Sequence, residues 1–425
     1  MRLSAKQKLN IWFISAYDAP EGHSSRTYDY ATELSEMGHN VTLFTSSYSH
    51  FTHKERLHPD EKWREEWFGK VRVFWLKTIP YQGNGIKRAL NMFSNAYRAL
   101  MVGSTRNEKP DIIFGPSVPL FTGMAAYLLS KIKRTPFIFE VRDIWPQALI
   151  DLGALSERHP IAVMLKIMEI FLYKRAKAIV AVLPFAYRHI CQYGIPGNRV
   201  IWIPNGVKLA RYANTTPYTG GKPGVLRVTY LGGFSLTHDV ESIIEAARIL
   251  KNEKGYEFTI IGGGKGKKKC EKVVEQYSLN TIVFKDPVAK NDIPKVLESA
   301  DVLIACVKNT PVYQFGINSN KIFDYLGSGR PIIFAGNTPN DPVADARAGI
   351  SIPPEDPVAL SDALRRFMSM SPKERQQLGR NGLEYAREHF DTHVLAGKLE
   401  GVISQLNDSR STGNTRAPES IAEAV

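Results

Sequence analysis

The sequence lacks any run of about 18 uncharged apolar residues, the length a membrane-spanning helix needs. Its longest apolar region, residues 161–187, is broken by Lys166, Glu169, Lys174, Arg175 and Lys177. Cysteine is scarce: Cys191, Cys270 and Cys306 are the only three in 425 residues, far apart and odd in number. They offer neither a disulfide framework nor a zinc site. The apolar run after the basic first ten residues, Ile11 to Ala16, is too short for a secretory leader and reads as a first strand, so the expected compartment is the cytoplasm. Acidic residues are outnumbered, 42 against 55 Lys and Arg, for a formal charge of +13. The excess is uneven: residues 1–200 carry 27 basic and 17 acidic side chains, and the remainder 28 and 25. A basic half implies an anionic partner, whether nucleic acid, a phosphorylated substrate or an anionic membrane surface.

What is present is a repeated alternation of short apolar runs with helical patterns. Ile11–Ser15, Val41–Thr45, Val71–Leu76, Ile112–Phe114, Phe137–Val141, Ala178–Val182 and Val200–Pro204 read as strands. The first is followed by a helical stretch from Ser24 to Met37 that stops at Gly38. After a Pro/Gly-rich linker, Tyr212 to Gly224, the rhythm restarts with Arg227–Leu231, Phe258–Ile261, Val283–Phe284, Val302–Ala305 and Pro331–Phe334. Strand–helix alternation predicts parallel sheets covered on both faces. The expected fold class is therefore α/β, two Rossmann-like doubly wound domains facing across a cleft. The predicted boundaries are 1–210, 211–390, a helix at 391–406 crossing back to the first domain, and a disordered tail at 407–425.

The most informative segment runs from Phe315 to Pro331. A glycine-containing loop leads into a short helix opening near Ser319 and closing at Gly327 to Gly329. Free N–H groups of Ser319 and Asn320 at a helix start favour an anion such as a diphosphate. Lys321, in the first turn, adds a full positive charge. Asp324 lies three residues on, along the same face, where a carboxylate can accept two ribose hydroxyls. Without a ligand, the same pattern reads as a capped helix with a surface ion pair. Gly262-Gly263-Gly264 tempts a dinucleotide reading, but no spaced acidic ribose ligand follows it. No Asp-x-Asp triplet occurs, the usual mark of a diphosphate held through a divalent metal; fixed protein donors are expected to do that work instead.

These motifs, in this order, make the chain resemble glycosyltransferase family 4, the bacterial branch that builds O-antigen, capsule or exopolysaccharide. The likeness runs to about Ile403 and rests on Gly22 to Arg26, Gly38-His-Asn-Val, Glu140-Val-Arg-Asp-Ile-Trp-Pro, Ile203-Pro-Asn-Gly-Val, Tyr230-Leu-Gly-Gly, Ile261-Gly-Gly-Gly, Ala300-Asp-Val and Ser319 to Pro331. The resemblance implies the two-Rossmann GT-B fold and a retaining transfer of a sugar from a nucleotide-diphosphate donor, UDP-sugar favoured, to a lipid-linked or polysaccharide acceptor. No cofactor or metal is implied; the nucleotide-sugar is a co-substrate. By the same likeness Arg142 matches a histidine that lies near the reacting sugar in relatives, with Asp143 beside it. Gly22, Arg26 and Glu140 form the acceptor and phosphate loop. Lys321, Ser319, Asn320 and the Gly233 amide hold the diphosphate, Asp324 the ribose, and Pro287-Val288 meets the base through backbone groups. The family's usual Glu–seven residues–Glu pair falls on Gly316 and Asp324, so the first acid is missing. The usual diphosphate Arg and Lys fall on Gly233 and His238.

Two other function classes share the fold: a nucleotide-sugar epimerase or hydrolase, and a non-catalytic nucleotide-sugar-binding partner. Nucleic acid is disfavoured, since the basic residues lie in α/β units with no recognition module. An anionic inner-membrane surface is the expected further partner. Residues 87–106 mix Met92, Phe93, Tyr97, Leu100 and Met101 with Lys87, Arg88, Arg98 and Arg106, and Phe51 to Phe68 adds Trp63 and Trp67.

Overall fold

The computed structural model describes residues 7–20, 26–83 and 85–412. The chain divides into two compact units, one holding residues up to Pro204 and again from Leu395, the other Asn205–Val394.

The first unit is built on an eight-stranded sheet. Its strands are β1 (Asn10–Ile14), β2 (Asn40–Ser46), β3 (Trp63–Phe68), β4 (Val71–Leu76), β5 (Ile112–Pro116), β6 (Phe137–Val141), β7 (Ala178–Ala181) and β8 (Val200–Trp202). They lie in the order β3-β4-β2-β1-β5-β6-β7-β8. All pairs are parallel except β3 with β4, where Trp67 faces Arg72. Runs such as Ile11-Trp-Phe-Ile are apolar on every residue because both sheet faces are covered. One set of alternate side chains, including Ile11, Val41, Val73 and Ile138, packs with Leu34 and with Leu395, Leu399 and Ile403. The helix Thr392–Thr412 thus completes the core of the first unit. A buried pair fixes it there: the His39 ring accepts the Leu9 N–H at Nδ1, so Nε2 carries the proton that faces Glu400 Oε1 at 3.2 Å. Residues 407–412 belong to this helix rather than to a disordered tail; the rest of that predicted tail lies outside the described residues. The opposite face of the sheet carries the helices Ile86–Ser104, Leu120–Lys133 and Pro160–Arg175.

The sequence reading missed β3. The segment Phe51 to Phe68 was expected to present aromatic and basic groups together, but residues 51–68 hold five acids against four Lys and Arg, and the arginines around β3 are paired. Arg64 bonds Glu61 and Glu66, and Arg72 bonds Glu65 at 2.6 Å. With four glutamates and Asp60 in that segment, the exposed Trp67 does not stand on a basic surface.

The second unit has a six-stranded, wholly parallel sheet: β9 (Leu226–Leu231), β10 (Tyr256–Ile261), β11 (Ile282–Lys285), β12 (Val302–Cys306), β13 (Ile332–Ala335) and β14 (Gly349–Ile352), in the order β11-β10-β9-β12-β13-β14. Val228, Tyr230, Phe258 and Ile304 build one core layer with the helices Val240–Ile249 and Pro357–Ser369. In both units the strand order reverses once, beside β1 and beside β9. Open parallel sheets place ligands at the carboxyl ends flanking such a reversal.

Candidate active site

In the second unit, β9 ends at Leu231 and gives way to Gly232-Gly233, while β12 leads through a loop to the helix Asn320–Gly327. The helix is tied to the strand end by Tyr325, whose hydroxyl accepts the Leu231 N–H at 2.8 Å and donates to the Leu231 carbonyl at 3.2 Å. Ile322, Phe323, Tyr325 and Leu326 are buried, and Phe323 packs against Phe390 with ring centroids 4.7 Å apart. Lys321 and Asp324 remain on the less buried face. Ser319 is the residue before the first turn, but its side chain caps none of the amides there. The positive end of the helix is therefore not neutralised by its own cap.

Lys321 lies against the β9 turn. Its Nζ donates to the Tyr230 hydroxyl at 3.0 Å and sits 4.3 Å from the centre of the Tyr230 ring. A methyl group on Gly232 would come within 2.5 Å of that nitrogen. Burial, opposed only by the nearby Cys306, lowers the Lys321 pKa to about 7. A cation held over an aromatic ring with one neutral hydrogen bond is poised for an anion that would restore its charge.

The Tyr230 hydroxyl donates to the Gly233 carbonyl at 2.9 Å. The same carbonyl lies 2.8 Å from His238 Nδ1, so that nitrogen carries the ring proton. Burial first, then the charge of Lys321, pushes the His238 pKa down to about 4, leaving a neutral imidazole. The sequence comparison put the family's lysine at this place. The protein instead brings its ammonium from the helix, and a second cation at His238 would be repelled by it.

The Gly262-Gly263-Gly264 run answers a packing need rather than a dinucleotide. At Gly262 φ is +154°, and a Cβ would lie 1.8 Å from the Gly232 carbonyl oxygen, so the turns after β9 and β10 touch backbone to backbone. Pro287 closes on Gly263, whose added Cβ would stand 3.1 Å from the proline ring, with Val288 next to it. Gly233, Pro287, Val288, Ser319, Asn320, Lys321 and Asp324 thus all belong to the carboxyl-end side of one sheet. Asp324 Oδ1 accepts the Tyr212 hydroxyl at 2.9 Å, which orients the carboxylate. Gly316, where the family's first glutamate would fall, has φ +100°, a conformation in which a glutamate is strained.

In the first unit, the ends of β1, β5 and β6 gather a buried charge cluster. Glu140 accepts Arg26 Nε at 2.8 Å and Arg142 Nε at 2.7 Å. Arg142 also bonds Asp18 at 2.6 Å and the Thr27 hydroxyl. Asp18, wholly buried, further accepts the Ser15 and Thr27 hydroxyls. Burial raises the Glu140 pKa, but the two guanidiniums, Arg142 foremost, outweigh it and hold the acid below its ordinary value. Burial lowers the Arg142 pKa, and Asp18 and Glu140 more than reverse this.

This changes the reading of both arginines. Arg26 does not reach outward to a phosphate: it is buried, bonding Glu140, the Tyr30 hydroxyl and the carbonyls of Ile203 and Pro204. Arg142 likewise spends its donors on Glu140, Asp18 and Thr27, and acts as a brace. Asp143 is exposed beside that brace, its backbone held by the Ser117 hydroxyl. Protein around it strips part of its hydration and raises its pKa, against the pull of Arg142. Gly22 lies outside the described residues.

Sequence reasoning missed Asp18 and Tyr212, which have no motif of their own, and it missed the role of Tyr230, which stands in the Tyr-Leu-Gly-Gly motif with nothing there to mark it as the partner of Lys321. It also missed a pocket of about 330 Å³ at the ends of β1 and β2, lined by Tyr17, Ser47, His50, Phe51, Arg56 and Trp75 among others. Tyr17 and His50 pack ring against ring at 5.2 Å, and Arg56 stands 4.2 Å over Trp75. Burial first, then Arg88 and His53, lowers the His50 pKa to about 4. Aromatic rings with hydroxyls and a neutral imidazole suit a polar ligand with apolar faces.

Comparison with known proteins gives concordant results for the two units. The model described as Glycosyltransferase Family 4 matches residues 20–211, and that described as Glycosyl transferases group 1 matches residues 226–370. The chain is 24% identical over 311 residues to the putative colanic acid biosynthesis glycosyl transferase WcaI of Escherichia coli K12, covering 69% of this chain and 75% of the relative. Among solved structures it is similar to sucrose-phosphate synthase from Thermosynechococcus elongatus, with a TM-score of 0.72 at 16% identity, covering 95% of this chain and all of that one. It is also similar to HepE from Anabaena in complex with UDP-glucose, with a TM-score of 0.66 at 14% identity, covering 93% and 100%.

Proposed function

The chain belongs to glycosyltransferase family 4, with the GT-B fold, and from that premise we propose that it transfers a sugar from a UDP-sugar to a lipid-linked or polysaccharide acceptor, without a metal and with retention of anomeric configuration. The observation that carries this reading is the Lys321 ammonium, desolvated over Tyr230 beside an uncapped helix start. A departing nucleoside diphosphate needs its growing negative charge neutralised, and preorganised donors in a water-poor site do this most effectively. The Ser319 and Asn320 amides and Lys321 meet the phosphates, with the Gly233 turn at their side. Asp324, oriented by Tyr212, takes the ribose hydroxyls, and Pro287-Val288 borders the base.

UDP is favoured over other nucleotides because the relative HepE binds UDP-glucose. Retention follows from the family: the leaving phosphate helps remove the acceptor's proton on the face where the new bond forms. Asp143, exposed and with a raised pKa, is the candidate for positioning the acceptor hydroxyl. The Arg26–Glu140–Arg142–Asp18 cluster holds the chain on which Asp143 sits. The pocket at Tyr17 and His50 receives the acceptor glycan. The likeness to a colanic acid enzyme supports an exopolysaccharide product, and the basic first unit supports an acceptor at an anionic inner-membrane surface.

A thermal-shift screen of UDP-, GDP- and dTDP-sugars tests the donor assignment, since a ligand bound only by the folded state raises its melting temperature. A UDP-sugar should stabilise the wild type and leave Lys321→Ala unmoved. An equal shift in both proteins would refute the phosphate site. Consumption of donor at full rate with no acceptor present would refute transfer in favour of hydrolysis.

A further inference from the structure

The three helices on one face of the first unit's sheet have an outward surface that folding does not explain. On the helix Ile86–Ser104 the residues Ile86, Leu90, Phe93, Tyr97 and Met101 are exposed, at a spacing of three or four that makes a single stripe. Ile86 is 81% exposed and Phe93 58%, while Met92, Ala96 and Ala99 make the inward contacts. The next helix, Leu120–Lys133, exposes Leu128 and Ile132. The third, Pro160–Arg175, exposes Ile161, Val163, Met164 and Ile167 although its inward side is also apolar. The helices adjoin one another: Phe93 meets Phe121 edge to face at 6.1 Å, and Tyr127 meets Phe171 at 5.1 Å. Exposed apolar residues scattered singly need no explanation, but a continuous field across three helices does.

Charge decides what covers it. The helix Ile86–Ser104 carries Lys87, Arg88 and Arg98, and Leu120–Lys133 carries Lys131 and Lys133; neither contains an acid. Pro160–Arg175 carries Lys166, Lys174 and Arg175; Lys166 lies 3.9 Å from Glu157 ahead of the helix, and the helix's one acid, Glu169, is buried and bonded to the Tyr173 hydroxyl. A second copy of this chain would set cations against cations. An anionic bilayer offers headgroups to the bases and an acyl boundary to the apolar stripe, and no described helix is long and apolar enough to cross it.

We propose that these three helices form the face by which the protein lies on an anionic membrane, with Phe93, Tyr97 and Ile167 entering the headgroup–acyl boundary. This deepens the membrane reading above: it keeps the segment 87–106, adds the helices Leu120–Lys133 and Pro160–Arg175, and leaves out the Phe51 to Phe68 segment. Arg88 stands 6.0 Å from the Tyr17 ring, so the amino end of the first helix borders the acceptor pocket.

The test is co-sedimentation of the full chain with vesicles of phosphatidylglycerol and phosphatidylcholine in equal parts, and of phosphatidylcholine alone, at low and high salt. The wild type should pellet only with the anionic vesicles, and less at high salt. Phe93→Ser with Ile167→Ser should weaken binding at least about tenfold, and each of Lys87→Glu and Arg98→Glu about fivefold or more. Unchanged melting temperature and UDP-glucose binding establish that the variants fold. Wild-type protein that stays in the supernatant, or variants that pellet like wild type, would overturn the proposal. So would light scattering that finds a dimer which Phe93→Ser breaks. These vesicles contain no acceptor, so the result is independent of the acceptor assignment; transfer to a polyprenyl-linked acceptor in detergent tests that separately.

Discussion

Raising the pH should weaken donor binding through Lys321. Its pKa stands at about 7 instead of the ordinary 10.5, because burial disfavours the ammonium. A bound diphosphate favours the ammonium, so binding takes up a proton whenever Lys321 starts out neutral. Affinity should be flat below pH ~7 and fall by up to about tenfold per unit above it, until the bound-state pKa is reached. Between pH ~7 and ~9 the ceiling is about a hundredfold; Lys321 keeps part of its side chain in water, and solvent screening makes about tenfold the expected loss. UDP-glucose suits the assay, since its esterified diphosphate has no group titrating in this window. Calorimetric titrations in two buffers of different ionisation enthalpy should show proton uptake on binding, and Lys321→Met should abolish both the uptake and the pH slope. The stability of the free protein must move the other way. The folded pKa lies below the unfolded one, so the cost of holding the charge is present in full below pH ~7. It is relieved as pH rises through the window in which only the folded state has lost the proton. A pH slope retained in Lys321→Met, or affinity constant from pH ~6 to ~9, would refute the assignment of this ammonium to the phosphate.

The other predictions concern the frame around that site. Gly262→Ala should destabilise the protein by about 2–4 kcal/mol in urea unfolding, because the methyl meets the Gly232 carbonyl, whereas Gly233→Ala should change stability by less than about 0.5 kcal/mol. Glu140→Gln should cost about 3 kcal/mol by removing the acid that Arg26 and Arg142 share, although Arg142 keeps its pair with Asp18. In the wild type the Glu140 contribution is present above the unfolded carboxylate pKa and is lost as pH falls through the lower folded one, so acid unfolding of the variant should begin from a reduced plateau. Asp324→Ala should cut the preference for UDP-glucose over its 2′-deoxyuridine analogue about tenfold in competition kinetics, while Tyr212→Phe should lose at most about 1.5 kcal/mol of stability.

The strands were legible because parallel strands covered on both faces must be apolar on every residue, and Ile11-Trp-Phe-Ile and Val302-Leu-Ile-Ala are. β3 and β14 were not legible: both are edge strands partly open to water, β3 carrying Arg64, Glu65 and Glu66, which also suit a loop, and β14 being only Gly349-Ile-Ser-Ile. The helix start with Lys321 and Asp324 could be read in the sequence because its parts lie within a few residues of each other. The partners of those residues could not. Tyr230 is 91 residues from Lys321, and Tyr212 is 112 from Asp324.

Local order along the chain therefore determined which buried segments become strands, that two sheets form, and where the helix start proposed to meet the phosphates falls. Those properties depend on side-chain periodicity and on backbone groups close in sequence. Tertiary structure alone decided the charge states and directions of the functional groups. Arg26 was expected at a phosphate and Arg142 near the reacting sugar, yet burial beside Glu140 and Asp18 turned them into braces. Lys321 was expected to bring a full positive charge to the diphosphate, yet desolvation against Tyr230 brought its proton near the point of release. Hydration and Coulomb energy depend on neighbours in space, which the order of residues does not list.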